Sequence, residues 1–95
     1  MPQRMTKATS CLLEVLLSDP RHNWYGLELM ELAGLKSGTI YPILHRLTEE
    51  GWLVSKLEEI DPVKEGRPQR RLYELTGIGE VQAQSAIPAV QVPPR

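Results

Sequence analysis

Residues 34–53, GLKSGTIYPILHRLTEEGWL, contain the pattern that decides the fold. Four apolar residues recur there at helical spacing: Ile40, Ile43, Leu44 and Leu47. They predict a helix over residues 37–50 with Ser37 as its N-cap. At 100° per residue the four apolar side chains share one face, and Tyr41 lies with the polar residues on or near the other. The helix therefore has an apolar face for a core and a second face without a carboxylate before Glu49.

A second helix is predicted immediately upstream, over residues 24–33, with Asn23 as its N-cap and Gly34 as its C-cap. Its expected core contacts are Leu27, Leu29 and Met30. Only residues 34–36 separate it from the helix that follows. Two helices joined by so short a turn containing glycine are typical of a helix-turn-helix.

The first helix is predicted to run from Thr6, its N-cap, to Leu17, and Pro20 lies just beyond its end. Its core face carries Ala8, Leu12, Val15 and Leu16. Leu13 and Leu17 widen this apolar face, and a stripe that wide suggests contact with both the domain's own core and a partner subunit.

Two segments after the third helix have strand composition, residues 52–57 and 71–75. Turn-forming residues such as Pro62, Gly66 and Pro68 lie between them, so the segments are predicted to form a hairpin with a long tip, which is a wing.

Thr76-Gly77 is predicted to open a last short helix over residues 78–87, and the Pro-rich tail 88–95 is predicted to be disordered. The expected fold class is α+β, mainly α: a winged helix-turn-helix with three helices, a two-stranded wing hairpin and a short C-terminal helix. One domain over residues 5–87 accounts for a chain of 95 residues.

Composition excludes several classes of protein. No apolar run approaches the roughly 20 residues that a membrane span needs, and the start lacks a signal-peptide pattern, so we expect a cytoplasmic protein. The single cysteine, Cys11, is expected to be a small buried hydrophobe, with a redox role as the alternative. There is no metal-ligand spacing, no glycine-rich phosphate loop and no nucleophile with a base, which predicts neither an enzyme nor a cofactor.

The charge distribution is more informative than the net charge of −1, which by itself counts against nucleic-acid binding. Residues 32–48 contain no acid but include Lys36 and Arg46, and residues 64–71 contain four bases and one acid. The polar face of helix 37–50 has the composition expected of a helix that lies in the major groove of DNA.

Three stretches together resemble the PadR family of bacterial winged-helix transcriptional regulators: YGLEL from residue 25, GLKSGTIYPILHRLTEEGWL and GRPQRRLYELTGIG from residue 66. The resemblance covers about residues 12–79. It implies a sequence-specific regulator, usually a dimeric repressor, that reads the major groove with helix 37–50 and flanking DNA with wing 60–70. The residues it implies for contact with double-stranded DNA are Ser37, Thr39, Tyr41 and His45, and in the wing Arg67, Arg70 and Arg71.

Structural alternatives stand beside several of these assignments. The Tyr41 hydroxyl could bind a phosphate, or its ring could be partly buried with the hydroxyl in water. Ser37 can cap its helix and bind phosphate at once. Arg46 could reach a base edge or pair with Glu49 or Glu50 on its own helix.

The basic residues of the wing differ in their expected partners. Arg70 and Arg71 could pair with acids on the outgoing arm of the hairpin, which are Glu58, Glu59 and Asp61. Arg67 has no such obvious partner beside Gly66 and Pro68. It is therefore the predicted wing residue at the minor groove.

The resemblance implies a homodimer, although related proteins commonly continue into long C-terminal helices that this sequence lacks. The expected dimer interface consists of Leu13, Leu17, Ile78, Val81 and Ile87. Trp24, Trp52 and Leu53 are expected in the core, with an aromatic cradle for an apolar small-molecule effector as the alternative. The rival function is a winged-helix module that binds protein or RNA, which the nearly neutral charge leaves open.

Overall fold

A computed structural model of the chain describes residues 6–87. Residue 5, the first of the predicted domain, and the predicted tail 88–95 lie outside the described residues. The elements in chain order are α1 (Lys7–Ser18), β1 (Trp24–Tyr25), α2 (Gly26–Ala33), α3 (Ser37–Glu49), β2 (Leu53–Leu57), α4 (Pro62–Glu65), β3 (Arg71–Leu75) and α5 (Gly77–Ala86).

Helix α1 begins as predicted, because the Thr6 hydroxyl oxygen accepts a hydrogen bond of 3.1 Å from the Thr9 amide. Its inward face is fully buried and comprises Thr9, Leu12, Leu13 and Leu16. The assignment of Leu13 to a dimer interface is therefore wrong for this fold: Leu13 has 0% exposure because α2, α3 and α5 all pack against α1. Leu17 is partly buried against the same core.

The start of α2 differs from the prediction. Trp24 and Tyr25 form a short strand that pairs with β3, and the helix begins only at Gly26. The Glu28 carboxylate accepts a hydrogen bond of 3.2 Å from the Tyr25 amide, so Tyr25 and not Asn23 is the N-cap residue. Strand pairing wins here because it buries the Trp24 indole in the core.

Of the apolar residues expected to face inward from α2, Leu29 is fully buried and Met30 is partly buried, whereas Leu27 is exposed. Leu27 and Leu29 are two positions apart, which is 200° around a helix, so only one of them can face the core. Gly34 ends the helix in the left-handed conformation, at φ 69°, as predicted.

Helix α3 has the predicted core face, with Ile40, Ile43, Leu44 and Leu47 all buried. The N-cap residue lies one position earlier than predicted, at Lys36. The Lys36 carbonyl accepts hydrogen bonds from the Thr39 and Ile40 amides. Ser37 is thus the first helical residue. The Trp52 amide donates to the Leu47 carbonyl at 2.9 Å, which carries the chain directly from α3 into β2.

The sheet has three antiparallel strands in the order β1-β3-β2, so the predicted hairpin gains the short strand β1 at its other edge. Leu53 pairs with Leu75 at the buried end and Leu57 with Arg71 at the open end. The wing is not a plain loop, because it contains the single-turn helix α4. Asp61 caps α4 by accepting a hydrogen bond of 3.0 Å from the Val63 amide.

Helix α5 begins at Gly77 with Thr76 as its N-cap, whose hydroxyl oxygen accepts from the Gly79 amide at 2.8 Å. A side chain at Gly79 would collide with the Trp52 carbonyl, so this glycine lets α5 lie against the start of β2. Ala83 is buried in the core. Trp24, Trp52 and Leu53 are also buried, as the sequence predicts. The described residues form a winged helix-turn-helix, which confirms the predicted fold class.

Candidate nucleic-acid interface

The outward face of α3 and its N-cap carries five of the predicted contact residues, all of them exposed: Lys36, Ser37, Thr39, Tyr41 and His45. The geometry follows from the sequence, because burying the apolar side chains of the same helix turns these polar groups outward. These five residues, which we call the α3 strip, supply hydrogen-bond donors and acceptors on the exposed surface of the helix. The first turn of α3 contains no acidic residue.

Tyr41 lies against α2 as well as facing outward. Its ring is 44% exposed, and its phenol packs so closely on Gly26 that a Cβ at that position would collide with the hydroxyl oxygen. Gly26 therefore sets where the Tyr41 hydroxyl is held. The ring of Tyr41 is thus partly buried against α2, and its side chain also lies on the exposed face of α3.

His45 and Arg46 have neighbours within the chain. His45 Nε2 lies 3.4 Å from a carboxylate oxygen of Glu49 one turn later, and both side chains are mostly exposed. Arg46 is half-buried near the C-terminal end of α3, where a cation interacts favourably with the helix dipole. Arg46 also has an interaction partner within the described residues.

Arg67 does not project from the wing tip as an unpaired cation, so that prediction is wrong. Its guanidinium donates two hydrogen bonds to the two carboxylate oxygens of Glu58, at 2.8 and 3.0 Å. The amide of Arg70 donates a third to the same carboxylate at 3.2 Å. The fork of the guanidinium matches a carboxylate in this bidentate geometry, and the pair fastens the tip to the outgoing arm.

The pKa values of the two groups reflect this pair. Hydrogen bonding to Arg67 lowers the pKa of Glu58 to about 2 from an ordinary value of 4.5, with the Arg70 amide as a smaller cause in the same direction. The same hydrogen bonds raise the pKa of Arg67 above its ordinary value. Glu58 is therefore ionised at any physiological pH, and Arg67 is neutralised by it.

The wing tip carries more acidic than basic residues. Glu59, Asp61 and Glu65 are exposed there, against the exposed Lys64 of α4. With Arg67 neutralised by Glu58, the tip has a negative local balance. Like charge repels a phosphate backbone, so this segment is poorly suited to approach DNA closely.

The base of the wing has the opposite character. The Arg70 guanidinium carbon lies 4.2 Å from the centre of the Tyr25 ring, a cation–π geometry. Arg71 donates a hydrogen bond of 3.3 Å to the hydroxyl of Ser55 across the hairpin. Among residues 6–87, neither Arg70 nor Arg71 forms an ion pair, so the expected pairing with wing acids is not found.

Two open clefts connect the wing base to α3, and both are lined by Tyr41, Arg71 and Tyr73. The first, of about 220 Å³, is completed by Tyr25, Gly26, Leu27 and Arg70. The second, of about 380 Å³, is completed by His45, Thr48 and Ser55. The pKa of Tyr73 is raised, chiefly because the ring is buried, so its phenol stays protonated.

The structure thus brings Arg70 and Arg71 close to the exposed face of α3. Arg67 instead lies at the wing tip, where it is paired with Glu58. Sequence reasoning missed Tyr25 as a member of this surface, because a two-residue strand has too few positions to show alternation. The partner of Arg67 was also missed, although Glu58 was among the acids considered for its neighbours.

The remaining residues predicted for a dimer interface lie on or near α5. Ile78 and Val81 are 68% and 62% exposed, and Ile87 is partly buried against the core. Ile78 and Val81 are three residues apart and share one helix face, on which Gln82 and Ser85 are also exposed. Of the residues predicted for the dimer interface, Ile78 and Val81 are thus the two that are largely exposed.

Within residues 6–87, no cluster of three or more His, Cys, Asp or Glu side chains has an arrangement suited to a metal ion. In the same part of the chain, no helix combines the length and apolar character required to cross a bilayer.

A three-helix core, a helix with a polar outward face and a β-hairpin wing define the winged helix class of protein. The chain matches the model of the Transcriptional regulator PadR-like family over residues 12–85, and it belongs to that family. Members of this family are transcriptional regulators and not enzymes. A comparison with curated proteins gave no significant match.

Solved structures with the same fold agree with this assignment. A PadR-like transcription factor from Bacteroides fragilis is 27% identical, with 81% of this chain and 73% of that chain aligned and a TM-score of 0.63. A PadR-like transcriptional regulator from Bacillus cereus is 25% identical over 81% of this chain and 74% of its own, with a TM-score of 0.60.

The transcriptional regulator PcaV from Streptomyces coelicolor, solved with its natural ligand, has a TM-score of 0.66 at 22% identity. The alignment covers 86% of this chain and 52% of that chain, so the present chain spans about half the length of PcaV. At this identity the likeness concerns the fold alone.

Proposed function

We propose that the protein is a sequence-specific DNA-binding repressor that acts as a homodimer in the cytoplasm, with α3 in the major groove. The observation that carries the proposal is the division of α3 into a fully apolar core face and an exposed polar face. The major groove is wide enough to admit such a helix. Membership in a family of transcriptional regulators supports the same function.

Individual residues take different roles in this proposal. In this proposal Thr39 and His45 contact base edges in the major groove. Lys36, Ser37 and Tyr41 lie at or near the start of α3, where hydroxyl groups and cations fix the register on phosphates. Arg46 is assigned a minor role, because it is half-buried and has an interaction partner within the described residues.

The proposed dimer uses α5 instead of Leu13. Ile78 and Val81 expose two apolar side chains on one helix face, and a second copy of that face would cover them. A two-fold axis through the interface would place two α3 helices in successive major grooves, about 10 base pairs apart. Two helices also supply the number of base contacts that selection within a genome requires.

A small-molecule effector receives less support from the core aromatic residues than the sequence suggested. Trp24 and Trp52 are both buried in the core, so neither lines an open cradle. The clefts next to α3 are lined instead by phenol, guanidinium and hydroxyl groups, which match phosphate better than an apolar ligand.

The test is a binding titration with labelled duplex DNA at two salt concentrations, comparing the unaltered protein with a Tyr41→Ala/His45→Ala double variant. The proposal expects steeply salt-dependent binding that is lost for specific sites in the double variant, with melting nearly unchanged. Glu14→Gln, at an exposed position of α1, is the matched control and should bind normally. Unaltered affinity of the double variant would contradict the reading role of α3. Binding to protein or RNA without binding to duplex DNA would favour the interaction-module alternative.

A further inference from the structure

At the base of the wing, Arg70 and Arg71 lie beside three tyrosine rings. Both arginines line the cleft that also contains Tyr25, Tyr41 and Tyr73, and within residues 6–87 neither of them forms an ion pair. Arginine is the side chain best matched to the geometry of a phosphate, and phenol groups add neutral donors. A cleft of this composition is suited to an anion.

We propose that Arg70, Arg71 and Tyr41 clamp a single phosphate of the DNA backbone at the wing base, and that Tyr25 is the positioning residue for Arg70. The proposal rests on the function proposed above and specifies which part of the wing touches DNA. The acidic wing tip stays away from the backbone.

Tyr25 acts through its ring. The guanidinium carbon of Arg70 lies over the ring at 4.2 Å from its centre, a contact that limits the freedom of the long side chain while leaving its N–H groups available. Because β1 pairs with β3, with Tyr25 opposite Leu72, the ring is fixed to the sheet that carries the arginines. The two-residue strand β1 therefore has a purpose beyond adding an edge to the sheet.

Tyr41 closes the clamp from the side of α3. Its phenol rests on Gly26, the first residue of α2, and it lines both clefts together with Arg71. Arg71 is held from the other side by its hydrogen bond to Ser55. Three elements, α3, β1 and β3, thus hold the donors in place before DNA arrives, which reduces the entropy lost on binding.

The wing tip, all of which lies within the described residues, has no comparable group of arginine and tyrosine side chains. Arg67 donates to both oxygens of Glu58, and its guanidinium also approaches the Pro68 carbonyl at 3.2 Å. Lys64 is exposed but has the acids Asp61 and Glu65 on or next to its own short helix. Because the tip has a negative local charge and the base carries two arginines, the base is the part of the wing expected to contact the phosphate.

The first experiment measures the dependence of DNA affinity on salt for four single variants. Arg70→Ala and Arg71→Ala should each weaken binding by about tenfold or more and lower the salt slope, by roughly one in total for the two because they share one phosphate. Lys64→Ala and Arg67→Ala, at the tip, should leave the slope unchanged. Each variant is first checked for native melting behaviour, and Arg70→Gln replaces Arg70→Ala if the latter unfolds.

The role of Tyr25 is tested by a conservative pair. Tyr25→Phe keeps the ring under Arg70 and should bind DNA like the unaltered protein, whereas Tyr25→Leu should weaken binding by roughly two- to fivefold. In an Arg70→Ala background the same Tyr25→Leu change should have no further effect, because the group it positions is gone.

A second experiment locates the phosphate by using duplexes that carry one neutral methylphosphonate at each backbone position in turn. One position per half-site should weaken binding of the unaltered protein clearly more than binding of Arg70→Ala, which has already lost one of its contacts to that phosphate. A protein that binds DNA with a normal slope after Arg70→Ala, or that loses its slope through Lys64→Ala, overturns the clamp while leaving the proposed function standing. Absence of salt-dependent DNA binding in the unaltered protein overturns both.

Discussion

The guanidinium of Arg67 and the carboxylate of Glu58 form a bidentate pair that joins the end of the wing tip to its outgoing arm. The two residues are nine positions apart in sequence, with α4 between them. The pair closes the tip on itself and neutralises Arg67, whereas Arg70 and Arg71, at the base of the hairpin, form no ion pair within residues 6–87.

Acid sensitivity should follow from this pair. The pKa of Glu58 is about 2 in the folded protein against an ordinary 4.5, so its contribution to stability is fully present above pH 4.5. That contribution is lost as the pH falls through the interval from 4.5 to 2. We expect Glu58→Gln to lower the melting temperature at pH 7 and to lose less stability than the unaltered protein between pH 5 and pH 2.5.

The exposed neighbour Glu59 provides the control for this measurement. Glu59→Gln should leave the melting temperature and its pH dependence close to those of the unaltered protein, because surface substitutions away from special contacts change stability little. Identical pH profiles for Glu58→Gln and the unaltered protein would mean that the pair with Arg67 does not persist in solution.

Gly26 should influence DNA binding without touching DNA. In Gly26→Ala the new methyl group collides with the Tyr41 hydroxyl, and the partly exposed ring must swing away from α2. We expect a clear loss of DNA affinity with only a small change in melting temperature, measured by titration and by thermal unfolding. Gly77→Ala, where the added methyl group meets open space, should bind normally. If Gly26→Ala weakens a Tyr41→Ala protein just as much, the effect does not pass through Tyr41.

Leu13 should behave as a core residue. Removing a fully buried leucine side chain leaves a cavity among packed neighbours, so Leu13→Ala should lower the free energy of unfolding by about 2–5 kcal/mol. Val63→Ala, at a position of α4 that is 89% exposed, should change it by no more than about 0.5 kcal/mol. Chemical denaturation measures both. A small effect at Leu13 would indicate that α1 is not packed as described.

The dimer should depend on α5. Val81→Glu places a charge in the proposed interface without disturbing the buried face of the helix, so it should give a folded monomer that no longer binds an operator tightly. Sedimentation of the unaltered and altered proteins at micromolar concentration decides this. An unaltered protein that is monomeric both alone and on DNA would contradict the proposed dimer.

Most of the fold could be predicted because its signals are local and repeated. The apolar spacing of Ile40, Ile43, Leu44 and Leu47 defines α3, and Gly34 marks the turn before it. Thr6 and Thr76 are effective capping residues for α1 and α5, and both act as predicted. In each case a few neighbouring residues carry the full physical reason for the element.

The errors lie where distant residues decide the outcome. Trp24 is predicted to be helical because the sequence does not show that it pairs with β3. Leu13 is predicted to lie outside the core because the sequence does not show that three helices pack around α1. The partner of Arg67 depends on the path of a wing that contains α4, which no periodic pattern indicates in so short a segment. The α3 strip could be predicted from helix geometry alone, whereas the Tyr25 contact to Arg70 required the register of the sheet.

The most direct test of the central claim is selection of bound duplexes from a random DNA pool by the unaltered protein. The account predicts enrichment of an inverted repeat with half-site centres about 10 base pairs apart, or a multiple of that distance. It also predicts that the Tyr41→Ala/His45→Ala protein fails to enrich the same sequence. A pool that yields no shared sequence, or a site without any symmetry, would contradict a dimer that reads the major groove with α3.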